Sequence, residues 1–277
     1  SGTIGVLVTE SGLSAWQVVA GRCAVGALGL ALWISLRRGW VRMSARQVAW
    51  AVLAGVALVL NWAALFSAYP LSGIGITTVV YHLQPLMLVL LTALLQRQRP
   101  DMAALGWLVL AVMGVALTTG VDLGTAPSAV LWQGAALAMV AAFLYALATL
   151  ATRRITGVAP AQVATVQMVV GLAMLVPFVA WPGAVLAGKA GAVVLVLGLV
   201  HTAWMYVLLY TAFQRLPVAQ IANLSFIYPA VALLVDLYFY GTPLSAEQGL
   251  GLALIMLALA GQQKGLRFRR GGPYFAR

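Results

Sequence analysis

Acidic residues are scarce: five Asp and Glu stand against 16 Lys and Arg in 277 residues, with two histidines and one cysteine. The lone Cys23 excludes an intramolecular disulfide. His82 and His201 are the only histidines, and neither has a cysteine or carboxylate at ligand spacing, so no metal and no cofactor are expected. There is no HExxH, no GxSxG and no pair of aspartates inside an apolar run, so a membrane-embedded protease or esterase lacks its machinery. The chain is not read as an enzyme.

What is abundant is apolar. Residues of that kind make up 63% of the chain, charged ones 8%, and the mean hydropathy is +1.01. Soluble domains are about one quarter charged, so the solvent here is a bilayer. Runs long enough to cross about 30 Å of hydrocarbon recur between short charged breaks. They predict all-α membrane spans at Ser14 to Leu36, Gln47 to Tyr69, Gly75 to Leu95, Met102 to Thr119, Ala129 to Ala151, Pro160 to Trp181, Gly191 to Phe213, Val218 to Tyr240 and Leu244 to Gly261. Residues 1–10 are apolar but too short to cross. The chain starts without Met, and its internal repeat predicts that about 15 residues of a first, tenth helix precede it.

The net charge of +11 is distributed by side. Arg37, Arg38, Arg42, Arg46, Arg97, Arg99, Arg153, Arg154 and Arg215 fall in alternate loops, and the tail adds Lys264, Arg267, Arg269, Arg270 and Arg277. The intervening loops hold Lys189 with Glu10, Asp122 and Glu247. By the positive-inside rule the basic loops and both termini are cytoplasmic. A nucleic-acid partner would need basic residues on one face interleaved with aromatics, and these arginines are scattered juxtamembrane anchors.

The chain repeats itself. A shift of 144 residues brings Pro85 onto Pro229 and Ala68 onto Ala212, and a shift of 145 brings Gln17-Val18 onto Gln162-Val163 and Leu105-Gly106 onto Leu250-Gly251. Two copies result, residues 1–124 and 125–277, each of five spans. Because five is odd, the second copy enters the membrane from the opposite side, which predicts ten transmembrane helices, the first truncated, as two inverted five-helix repeats. Such pairs open a shared central site first to one side and then to the other, as a transporter does.

Polar residues near mid-span are the candidates for that site. Thr78, His82, Pro85 and Val89 share a helix face with Tyr81 beside them; Asn61 is the one amide in a small-residue stripe with Ala57, Ala64 and Ala68. Tyr145, His201, Trp204, Phe226 and Tyr228 complete an expected pocket with aromatic walls, neutral hydrogen-bonding groups and no fixed negative charge. Packing is the alternative for each aromatic taken alone. Pro85 and Pro229 are expected at matched bends where the copies move. Arg22, costly in a span unless partnered, is either an anchor for a substrate carboxylate or a structural group, paired with Glu10 or Asp236 or bonded to helix carbonyls. Asp236, beside the interfacial run Tyr238-Phe239-Tyr240, is an interfacial acid or a coupling group.

These residues resemble a family. Ten spans in two copies, Leu13-Ser14-Ala15 leading to Arg22, the Gln84-Pro85 and Tyr228-Pro229 pairs, and Leu105-Gly106 with Leu250-Gly251 look like the drug/metabolite transporter superfamily and its EamA-type branch. Within it, Tyr81-His82-Leu83-Gln84-Pro85 and Ala203-Trp204 are most similar to the YddG group of bacterial exporters of aromatic and other neutral amino acids. The resemblance implies export of a neutral or zwitterionic metabolite, an amino acid first, by alternating access across a bacterial inner membrane. Multidrug efflux and transport of a sugar or nucleoside are the alternatives. Where many EamA-type members carry a Gly-Glu-Arg-like turn, this chain reads Arg97-Gln98-Arg99-Pro100 and Gly241-Thr242-Pro243, so no role of those glutamates carries over. Oligomeric state leaves no mark on the sequence.

Overall fold

The computed structural model describes residues 7, 11–119, 129–179, 188–227, 231 and 245–263, and no strand occurs among them. The helices are α1 (Ala15–Leu36), α2 (Ala45–Tyr81), α3 (Gln84–Leu95), α4 (Met102–Thr118), α5 (Ala129–Arg153), α6 (Pro160–Leu175), α7 (Gly188–Gly198), α8 (Met205–Arg215), α9 (Val218–Leu224) and α10 (Ala246–Gln263). Six helical stretches are long and apolar enough to cross a membrane, among them Ala45–Gly73, Gly75–Leu95 and Gly188–Arg215, while Met102–Thr118 and Ala246–Gln262 are apolar but shorter. The architecture fits a multi-pass integral membrane protein. Leu28, Leu32 and Leu36 form one exposed stripe on α1, as a lipid-facing surface requires. The predicted span Val218 to Tyr240 is described only to Ile227 and at Val231; Tyr228, Pro229 and Asp236 lie outside the described residues.

Serine caps start the helices. Ser14 and Gln17 close a reciprocal capping box on α1, and Ser44 with Gln47 does the same on α2. Ser245 and Gln248 exchange the same two bonds before α10, each 3.1 Å long. At α4 the cap is Asp101, whose Oδ1 accepts from the amides of Ala103 and Ala104.

Two breaks depart from simple spans. The expected turn around Tyr69-Pro70-Leu71-Ser72-Gly73 narrows to Gly73 alone, at φ 72° and ψ 164°, a conformation that suits glycine and lets the chain reverse without a loop. Pro85 does not kink a continuous helix. The helix ends at Tyr81, a turn covers His82 and Leu83, and α3 restarts with Pro85 in its first turn, where its missing amide costs no intrahelical bond. The same turn recurs at Ser225 and Phe226 after α9, where Leu83 N to Val80 O (3.1 Å) finds its counterpart in Phe226 N to Asn223 O (3.1 Å).

Small residues set the packing. The most extensive interface joins α2 to α5, where the stripe of Ala57, Asn61 and Ala68 is buried. Helices α1 and α6, whose starts are 145 residues apart, pack on each other, as do α4 and α10. In the second pair the backbones touch: a Cβ on Gly114 would lie 2.7 Å from the Gly251 carbonyl oxygen, and one on Gly251 2.6 Å from that of Gly114. Basic loops meet at one end of the bundle, where Gln47 Nε2 donates to Thr156 O (2.8 Å) and Arg153 donates to Phe213 O and Leu216 O.

Candidate functional site

The break at His82 places a polar, aromatic cluster inside the bundle. Asn61, fully buried on α2, donates from Nδ2 to Ala141 O of α5 at 2.7 Å and lies 3.3 Å from the Tyr81 hydroxyl. The Tyr81 ring stands edge-on to Tyr145 (6.2 Å) and to His82 (6.3 Å). His82 in turn lies 5.9 Å from the ring of Phe226, which is fully buried. The imidazole is oriented by Nδ1, 2.7 Å from Thr78 O; a carbonyl only accepts, so that nitrogen carries the hydrogen. Residues from α2, α5 and the turn after α9 thus converge on one place.

A second node adjoins it through Trp62, next to Asn61 in the chain. Arg22, 3% exposed, donates from Nε to Thr202 Oγ1 (3.1 Å) and from an η nitrogen to His201 O (3.3 Å), with its guanidinium 5.0 Å over Trp62. The acceptors exist because the helix between α7 and α8 widens to π geometry over Leu199–Trp204, and Thr202 Oγ1 reaches back to Leu197 O. Trp62 packs edge-on to Tyr206, and Tyr206 to Tyr210. The Tyr210 hydroxyl donates to Gln167, whose amide donates to Thr152. Gln167 stands 145 residues after Arg22, and both polar side chains are buried. All of Arg22's partners among the described residues are neutral. Its charge is dispersed over oxygens and a ring, with no carboxylate among the described residues beside it.

Of the residues singled out from sequence, Asn61, Tyr81, His82, Tyr145 and Phe226 come together, and Thr78 contributes its carbonyl. Arg22 and His201 share the second node, His201 through its backbone. Pro85 is buried at the start of α3. Trp204 does not join either group: it is 57% exposed, on the opposite side of the helix from buried Tyr206 and Tyr210. Sequence reasoning misses Trp62, Tyr206, Tyr210 and Thr202. Their signal is present in the i, i+4 spacing of Tyr206 and Tyr210 and in Trp62 adjoining Asn61.

A cavity of about 710 Å³ opens at the basic end, between the α3–α4 connection and the α8–α9 connection. Val89 and Trp107 lie on its wall and belong to the apolar cluster that also contains Phe226.

Comparison with known proteins agrees with this architecture. Residues 132–261 match the EamA-like transporter family. A protein of Bacillus subtilis (strain 168) named "Uncharacterized transporter YxxF" is 28% identical over 263 residues, covering 94% of this chain and 84% of that one. A crystal structure of a protein 20% identical in sequence superposes with a TM-score of 0.80, covering 95% of this chain and 92% of the other, and shows a shared fold. The family match and the named relative support a membrane transporter with EamA-like character.

Proposed function

We propose that the protein is a carrier that exports neutral or zwitterionic small metabolites, amino acids with aromatic side chains foremost, by alternating access between two inverted five-helix repeats. The observation that carries this reading is the pair of helix breaks at His82-Leu83 and Ser225-Phe226, within one residue of the repeat register, which meet ring to ring beside Asn61, Tyr81 and Tyr145. A break in each copy supplies a bend on either side of a shared site, and Pro85 with Pro229 are the proposed hinge prolines. The packing of α1 on α6 and α4 on α10, partners in that register, supports the inverted pairing.

The chemistry of the cluster favours the substrate class. Phenols and rings suit an aromatic or apolar side chain, the amide of Asn61 suits an ammonium or hydroxyl, and Arg22, whose partners among the described residues are all neutral, suits a carboxylate. Organic cations fit poorly, since the described site residues include no acid. The arginine loops support a cytoplasmic basic end, and an inner membrane is the proposed location. The test is a substrate panel in proteoliposomes. Efflux of labelled phenylalanine should be competed by other neutral amino acids and poorly by phenethylamine, which lacks the carboxylate. Equal competition by phenethylamine contradicts the zwitterion assignment.

A further inference from the structure

We propose that the 710 Å³ cavity at the basic end is an antechamber that binds the carboxylate of the solute before it passes to the central site. Arg99, Arg153 and Arg215 come from three separate elements and line this one space, with Asp101 as the only acid among the described residues on the wall. The Asp101 carboxylate is engaged at the start of α4, where it accepts two backbone amides at 3.0 and 3.4 Å. Among the described lining residues, two positive charges are left without a balancing acid. Topological anchors alone would point outward to lipid headgroups; these converge on a concave space with an apolar floor.

Arg153 is also held in place. Its guanidinium donates to Phe213 O (2.5 Å) and Leu216 O (2.8 Å), which fixes the cation against the α8–α9 connection. Gln262, on the same wall, donates to Ala219 O at 2.9 Å while its own oxygen has no partner among the described residues. A wall carrying three arginines, Arg153 held in place, over a low-dielectric floor of Val89 and Trp107 focuses field into the cavity and raises the local concentration of anions. Carboxylate is the chemistry that fits a solute bound for Arg22, and the inference rests on the transport reading above. Inorganic phosphate and anionic lipid headgroups share that charge, and the experiment separates them.

The experiment reads the cavity's charge through cysteine labelling. Cys23 is buried and is replaced by alanine; Thr92→Cys or Gln220→Cys then places a thiol on the wall. Purified protein is labelled with an anionic sulfonatoethyl and a cationic trimethylammonioethyl methanethiosulfonate, each rate normalised to that of a free thiol in solution. At both positions the normalised anionic rate should exceed the cationic rate at least fivefold, and the ratio should fall towards one when Arg99→Gln and Arg215→Gln are added. Millimolar benzoate or phenylalanine should slow the anionic reagent severalfold, while equal inorganic phosphate, or anionic in place of zwitterionic lipid, should not. Equal rates for the two reagents overturn the antechamber, and equal protection by phosphate or by anionic lipid overturns the carboxylate assignment. Labelling needs no transport. Loss of the charge preference with phenylalanine counterflow intact removes the antechamber alone, and a preserved preference without counterflow removes the transport reading.

Discussion

The rings of His82 and Phe226, 144 residues apart in the chain, lie 5.9 Å from each other, and each sits in a turn that interrupts its helix. His82→Ala removes this contact and the bond to Thr78 O while leaving the helices on either side intact. Exchange of labelled phenylalanine should fall about tenfold, one rate-limiting contact being worth about 1.4 kcal/mol, with the size-exclusion profile unchanged. Phe226→Leu keeps most of the buried volume and should slow exchange in the same direction. Normal rates in both variants dissociate the breaks from the transport cycle.

Arg22 holds the one buried guanidinium in the two nodes. Arg22→Gln retains hydrogen bonding to Thr202 and the His201 carbonyl but discards the charge. We expect the half-saturating concentration of phenylalanine to rise tenfold or more, and inhibition by apolar aromatics without a carboxylate to stay within twofold. Competition assays on one proteoliposome preparation give both numbers. A parallel loss for both ligand types assigns Arg22 to architecture.

Gly73 offers a backbone test free of packing effects. Nothing lies within 4 Å of a Cβ built there, yet its φ of 72° and ψ of 164° disfavour any other residue. Gly73→Ala should destabilise the protein by about 1–3 kcal/mol through strain alone, seen as a lower midpoint for loss of monodisperse protein on heating. An unchanged midpoint shows that the turn relaxes.

The crossing of α4 and α10 is tested at Gly251. A methyl there meets the Gly114 carbonyl oxygen at 2.6 Å, and backbone cannot swing aside as a side chain does. Gly251→Ala should cost about 1–3 kcal/mol, while Gly249→Ala, two residues away with open space, should cost little. Equal heating midpoints for the two variants contradict the close crossing.

Much of this architecture is legible in the sequence because hydropathy and charge act over whole segments. Apolar runs predict the described spans to within a few residues, and the arginines mark the loops that meet at one end. Local geometry is harder to read. Pro85 suggests a kink inside a continuous helix, whereas a proline also fits the first turn of a new helix, and the spacing of Thr78, His82 and Val89 does not distinguish the two. Trp204 is the other case. His201, Trp204 and Leu208 fall on one face of an ideal α-helix, but the π stretch at Leu199–Trp204 adds a residue to the turn and rotates the helix beyond it, so Tyr206 and Tyr210 face inward instead. The Arg22 node is half visible: the cost of a buried arginine points to a partner, and the partners are a hydroxyl and a carbonyl exposed by that same π stretch.

Counterflow tests the central claim most directly. Proteoliposomes loaded with unlabelled phenylalanine are diluted into a trace of labelled phenylalanine, with and without an imposed pH gradient. A carrier whose site opens alternately to the two sides gives a transient overshoot of label that depends on the internal load and saturates with it. Label that merely equilibrates, at a rate indifferent to the internal amino acid, would contradict alternating access.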